Sequence, residues 1–162
     1  LLGETPELIA QGLVSYQASG MRQNIYEQDG YQIYADCYNA SPDAMEATLS
    51  VLGGMAGDGR RLAVLGSMLE LGDYAEEGHR RAGRAAAQYA DALYAYGPDA
   101  AAMVAGAREK GMEHAYAFDD QTALVAALRE DAKKGDALLF KGSRGMRMER
   151  ALAMFLGEEV EA

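Results

Sequence analysis

Three stretches of the chain carry side chains whose types and spacing could do chemistry. The first is Asp36-Cys37-Tyr38-Asn39, just ahead of Ser41-Pro42-Asp43. It combines a carboxylate able to accept hydrogen bonds from ribose hydroxyls, a flat phenol able to lie against a base, and an amide that donates and accepts. The same Asp36 and Asn39 could instead close a turn on their own backbone. The second stretch runs from Lys141 to Arg150 and holds four cations and one anion. Lys141, Ser143 and Arg144, interleaved with Gly142 and Gly145 ahead of a helix, would make a seat for a carboxylate or phosphate, with Arg144 suited to a bidentate contact. The alternative is a loop whose cations offset neighbouring acids. The third stretch, Gly66-Ser67-Met68-Leu69-Glu70-Leu71-Gly72, is followed by Glu76, Glu77 and His79. Those three could be drawn as a metal site, but acids on a helix surface more simply form a solvated face, and no metal site is expected. Cys37 has no base beside it in sequence, so it is not expected to act as a nucleophile.

No Gly-x-x-x-x-Gly-Lys-Ser/Thr loop occurs, and no Gly-x-Gly-x-x-Gly follows a strand, so no phosphate cradle of either kind is present. The chain alone is not expected to hold a nucleotide tightly, and no catalytic residue is assigned within it.

The elements that must position these stretches follow from periodicity and punctuation. Thr5-Pro6-Glu7 opens a short amphipathic helix ending near Gly20. The alternating runs Asn24 to Gln28 and Tyr31 to Asp36 flank Asp29-Gly30, a strong signal for a two-residue hairpin turn. Beyond Ser41-Pro42-Asp43, helices alternate with short apolar strands, the signature of a parallel sheet with crossover helices. Strands are expected at Leu62 to Gly66, Ala92 to Tyr96, His114 to Phe118 and Ala137 to Lys141. Helices are expected from Pro42, from about Tyr74 to Tyr89, Asp99 to Lys110, Asp120 to Lys133 and about Gly145 to Leu156. The expected fold is a three-layer α/β, Rossmann-like open sheet, mostly parallel, with an antiparallel hairpin near the N-terminus. Ligands of such sheets bind at the carboxyl ends of the strands. That selects the loops 36–43, 66–72, 97–99 and 141–145.

The 162 residues suffice for one compact domain with a packed core. Asp and Glu number 25 against 15 Lys and Arg, for a net charge of −10. This argues against a nucleic-acid partner, whose phosphates need a basic surface. The Lys141 to Arg150 stretch is +3, so the remainder is −13. One cysteine excludes a disulfide framework and makes the cytoplasm the expected compartment. No apolar run approaches the roughly 20 residues that cross a bilayer, so no membrane partner is expected. The chain opens on Leu1 without an initiator Met, which suggests a piece of a longer polypeptide.

Gly20-Met21-Arg22-Gln23, Asp36 to Met45, Leu62 to Gly72 and Lys141 to Glu149, together with His79, resemble in order the motifs of the Mur ligases. The second and fourth segments resemble the branch that adds D-alanyl-D-alanine. The resemblance spans residues 20–150 and implies a C-terminal Mur ligase domain over residues 20–162, with residues 1–19 similar to the tail of a preceding central ATPase domain. It implies that the full-length enzyme is an ATP-dependent ligase of peptidoglycan precursor synthesis. Such an enzyme activates the carboxylate of UDP-N-acetylmuramoyl-tripeptide as an acyl phosphate, which the amine of D-alanyl-D-alanine attacks. ATP and Mg2+ would be bound mainly by the central domain, on which this domain closes. By the same resemblance Arg22, Asp36, Tyr38 and Asn39 face the nucleotide, and Lys141, Ser143 and Arg144 face the peptide substrates. A stand-alone Rossmann-like regulatory module is the alternative reading.

Overall fold

The structure, a computed structural model, describes residues 23–55 and 57–159. Arg22 and the helix expected up to Gly20 lie outside the described residues. Strand β1 (Asn24–Gln28) turns through Asp29-Gly30 into β2 (Tyr31–Asp36). Both turn residues have positive φ, 53° and 86°, the conformation that lets a two-residue turn match the twist of the strands it joins. Next come α1 (Pro42–Gly54), β3 (Arg61–Gly66), α2 (Ala75–Tyr89), β4 (Ala92–Tyr96), α3 (Ala100–Glu109) and β5 (Ala115–Phe118). The described chain closes with α4 (Gln121–Asp131), β6 (Ala137–Lys141) and α5 (Met148–Leu156). Two of the expected caps form: Ser41 Oγ accepts from Ala44 N at 3.3 Å and Asp120 Oδ2 from Ala123 N at 2.8 Å.

The six strands form one sheet in the order β1-β2-β6-β3-β4-β5, antiparallel only between β1 and β2. Alternation along each strand sends side chains to two cores. Ala63, Leu65, Leu93 and Leu139 meet Met45, Leu49, Ala82, Ala86 and Met103 of α1, α2 and α3. Leu62, Val64, Leu138 and Phe140 meet Leu124, Leu128, Leu152 and Phe155 of α4 and α5. The three-layer, mostly parallel expectation holds. Among the described residues no helix is long and apolar enough to cross a membrane.

The placement of β6 matters most for function. The chain leaves β2 and β3 toward the α1/α2 layer but leaves β6, which lies between them, toward α5 on the opposite face. Adjacent strands whose connections depart on opposite faces leave a crevice beyond their carboxyl ends, where open α/β sheets bind ligands.

The last helix starts later than its sequence suggests. Residues Arg144–Met146 form a 3-10 turn, Arg147 sits in the left-handed region at φ 48° and ψ 47°, and only then does α5 begin. Gln121 explains the delay: its Nε2 donates to the carbonyls of Met146 and Arg147 at 2.8 and 3.2 Å. Ser143 therefore precedes, and Arg144 opens, a 3-10 turn ahead of the left-handed residue, and neither lies at the N-terminus of α5.

The opposite end of the sheet is tied by charge. Arg60 Nη1 donates to both Asp131 oxygens at 3.0 Å, its Nη2 reaches Asp136 Oδ2 at 3.0 Å, and the Tyr94 hydroxyl donates to Asp131 Oδ2 at 2.6 Å. The Tyr94 hydroxyl, and after it Arg60, hold the Asp131 carboxyl below the usual carboxylate range. A group lowered on folding contributes stability that is present above its unfolded pKa and lost as pH falls through its folded value. Unfolding free energy measured in urea is therefore expected to drop as pH falls below about 4, and Asp131→Asn is expected to flatten that drop while lowering stability at pH 7.

Candidate functional site at the carboxyl ends of the strands

The four loops selected from the sequence meet beyond the carboxyl edge of the sheet. Ser67 joins three of them, and Lys141 joins the fourth, 36–43, to the basic loop. The Ser67 backbone N donates to Tyr96 O at 2.9 Å, its Oγ accepts from Asp99 N at 3.1 Å, and its carbonyl accepts from Ser143 N at 3.3 Å. Ser143 Oγ in turn accepts from Leu69 N at 2.9 Å. The approach is close because three strand-end glycines allow it. A Cβ on Gly66 or Gly142 would press on Met148, and one on Gly97 would lie 2.4 Å from Met146 Cε.

His79 is fully buried and supports the same junction from below. Its Nδ1 lies 2.6 Å from the Ala75 carbonyl, and its Nε2 accepts from Met68 N at 2.8 Å. A carbonyl on one side and an N–H on the other assign the proton to Nδ1. Glu76 pairs with Arg80 and Glu77 with Arg84, so the acids that precede His79 in sequence are engaged on the helix surface. Among the described residues no group of three or more His, Cys, Asp or Glu could hold a metal ion.

Of the residues expected to face a nucleotide, Asp36 ends β2 and is buried, whereas Tyr38 and Asn39 are exposed. Asn39 Oδ1 accepts from Ala40 N at 2.8 Å, the local turn bond its residue type favours. Cys37 points back into the core, where its Sγ donates to Phe140 O at 3.4 Å. Burial, and after it the nearby Glu149 and Asp36, push its thiol up to about 12, so it stays protonated and inert near neutral pH.

Of the residues expected to face the peptide substrates, Arg144 is exposed, with its guanidinium 5.3 Å from the centre of the Tyr38 ring. It makes no ion pair among the described residues. Ser143 is buried as a loop tie. Lys141 is 1% exposed, with its Nζ 2.6 Å from Asp36 Oδ2 and 2.8 Å from the Asn39 carbonyl. The two candidate loops are thus one structure, joined by an ion pair beneath and a cation–π contact above. Gln121 is the contributor that sequence reading missed. A glutamine at a helix start shows nothing in sequence of the two carbonyls it holds 25 and 26 residues away.

Comparison with known proteins places the chain in a family and agrees with its fold. Residues 21–144 match the family model described as Mur ligase, glutamate ligase domain. A UDP-N-acetylmuramoyl-tripeptide–D-alanyl-D-alanine ligase of Bacillus subtilis is 37% identical over 91% of this chain and 33% of its own length. One of the same name from Synechocystis is 40% identical over 76% of this chain and 27% of its own. Among solved structures, MurF from Acinetobacter baumannii superposes with a TM-score of 0.82 at 28% identity, over 96% of this chain and 34% of that one. MurF ligase from Thermotoga maritima, in complex with ADP, gives 0.75 at 30% identity over 93% and 36%. The chain therefore spans about a third of the length of the relatives it matches. With the family model covering the hairpin, the Asp36 loop and the basic loop through Arg144, the chain belongs to the Mur ligase family, as its C-terminal glutamate ligase domain.

Proposed function

We propose that this domain closes over the ATP site of a central domain in a full-length ligase that adds D-alanyl-D-alanine to UDP-N-acetylmuramoyl-tripeptide. The reaction runs through an acyl phosphate, in the cytoplasm, as a step of peptidoglycan precursor synthesis. Asp36, Tyr38 and Asn39, with Arg22, face the nucleotide, and the Lys141–Arg144 loop faces the peptide substrates. The observation that carries the reading is the pairing, at one carboxyl edge of the sheet, of an exposed aromatic and a strand-end carboxylate with an arginine free of ion pairs among the described residues. The names of the relatives supply the substrates, and the ADP complex of one structural neighbour supports the nucleotide.

The residues present fit part of a nucleotide. Asp36 spends Oδ2 on Lys141, and no described residue bonds to its Oδ1, which leaves that oxygen to accept from ribose hydroxyls. Neither a phosphate loop in the sequence nor a metal-ligand group among the described residues is available, so triphosphate and Mg2+ belong to the central domain. ATP supplies the phosphoryl group that activates the tripeptide carboxylate. This chain contributes orientation and charge: a carboxylate for the ribose, an aromatic face, and a guanidinium for a substrate carboxylate.

The test uses two proteins. The full-length ligase, given ATP, UDP-N-acetylmuramoyl-tripeptide and D-alanyl-D-alanine, is expected to release one ADP and one phosphate for each pentapeptide detected by mass spectrometry. The 162-residue chain alone is expected neither to turn ATP over nor to bind it tightly in calorimetry. Tight binding or hydrolysis by the isolated chain, or a full-length enzyme that makes no pentapeptide, would refute the reading.

A further inference from the structure

Lys141 ends β6 and stands in register with Asp36, the last residue of the neighbouring parallel strand β2. Register partners on parallel strands project to the same side of the sheet, and here the ammonium continues past the carboxylate to the carbonyl of Asn39. Two of its three donors are committed to one loop. The Lys141 side chain is only 2% exposed, so reaching outward to a substrate would draw the ammonium away from Asp36 and leave a buried carboxylate without its counter-charge, a strongly unfavourable exchange.

The two loops that Lys141 touches are held by different bonds. Its own loop is fixed without the ammonium. Ser143 N donates to Ser67 O, Leu69 N donates to Ser143 Oγ, Met146 N donates to Ser143 O, and Gln121 holds the carbonyls of Met146 and Arg147. Across residues 37–40 the Cys37 thiol reaches Phe140 O through a weak sulfur donor, Asn39 Oδ1 accepts from its neighbour Ala40, the Tyr38 ring lies under Arg144, and Lys141 ties the Asn39 carbonyl to the end of β6.

We propose that Lys141 is a positioning residue for the nucleotide-facing loop: its ammonium fixes the Asp36 carboxylate and the Asn39 carbonyl, so that Tyr38 and Asn39 stand out from the sheet, and it does not contact the peptide substrates. The assignment of that loop to the nucleotide rests on the reading given under Proposed function; the clasp itself rests on the geometry. Lys141 thereby differs from Arg144, three residues on, although both belong to the same basic run.

The experiment is steady-state kinetics of the full-length ligase carrying Lys141→Gln or Lys141→Met, with hydrogen exchange of the same proteins. The expected result is a rise of at least tenfold in KM for ATP, with KM for D-alanyl-D-alanine within twofold of the unmodified enzyme. Amides of residues 37–40 are expected to exchange at least tenfold faster, while those of residues 143–147 keep their protection. A tenfold rise in KM for the dipeptide, alone or together with that for ATP, overturns the proposal, and so does an unchanged KM for ATP. Should the single variants not fold, Lys141→Met with Asp36→Asn, which buries no lone charge, carries the test by exchange, and unchanged protection of residues 37–40 overturns it. Absence of ligase activity in the unmodified enzyme would instead refute the reading under Proposed function, and exchange would still decide the clasp.

Discussion

Gly83→Ala, and Gly106→Val more severely, are expected to lower the thermal midpoint by about 10 °C or more, corresponding to roughly 3 kcal/mol for a domain of this size. Both glycines lie inside helices, where alanine would ordinarily gain up to about 1 kcal/mol over glycine. The packing reverses the sign. A Cβ on Gly83 of α2 would sit 1.8 Å from the Met103 carbonyl of α3, and one on Gly106 of α3 would sit 2.0 Å from the Arg80 carbonyl of α2. Each glycine faces the backbone of the other helix, so no rotamer change relieves the clash and the helices must separate. Separation would also strain the bonds that Arg80 and Arg84 make to Glu109 across the same interface, although exposed pairs of this kind contribute little. Gly54, the last residue of α1, is the control. A Cβ there meets nothing within 4 Å, so Gly54→Ala is expected to be neutral or slightly stabilising. Scanning calorimetry of the three variants checks the contrast, and a stabilised Gly83→Ala protein would show that helix propensity outweighs the crossing.

The second large effect concerns the reaction. Arg144→Ala in the full-length ligase is expected to raise KM for D-alanyl-D-alanine by about 10- to 100-fold, the loss of a charge-assisted contact of roughly 1.5–3 kcal/mol. Thermal stability should change little, because Arg144 is exposed and its contact with the exposed Tyr38 ring is worth at most about 1 kcal/mol at such a site. The discriminating substrate is D-alanyl-D-alaninamide, which lacks the carboxylate. The unmodified enzyme is expected to prefer the acid to the amide, and Arg144→Ala is expected to erase most of that preference. Arg144→Lys, which keeps the charge but not the planar fork, should fall between. An unchanged acid-to-amide ratio would remove Arg144 from recognition of the dipeptide carboxylate.

Some of this site is legible residue by residue in the sequence. Asp29-Gly30 between alternating runs specifies a hairpin because two successive positive φ values are inexpensive only for a few residue types. Ser41-Pro42-Asp43 specifies a helix start, and the short apolar runs before Gly66 and after Asp136 specify buried strands. Each of these depends on a handful of adjacent residues. With the rule that open sheets bind ligands at strand ends, they suffice to choose the four loops that gather at the carboxyl edge of the sheet.

Other features were not legible. The stretch after Lys141 has helix-forming residues from Gly145 onward, yet Met146 and Arg147 are kept out of α5 by Gln121, whose own neighbours give no hint of the contact. Ser143 reads as a hydroxyl on a flexible loop, and its oxygen is instead a tie to Leu69 N. Lys141 and Arg144 both read as cations facing the peptide substrates, and nothing near Lys141 in sequence shows that Asp36 encloses it.

By itself the sequence determined the class of fold, the strand-end loops and the family motifs, because periodicity, turn chemistry and motif spacing are written over short distances along the chain. Only the tertiary structure decided what each side chain in those loops is free to do. Insertion of β6 between β2 and β3 brings Lys141 against Asp36, 105 residues away, and leaves Arg144 on the surface over Tyr38. Strand order is set by the joint packing of two cores across the whole chain, and with it the difference between a cation enclosed beside a carboxylate and one left on the surface.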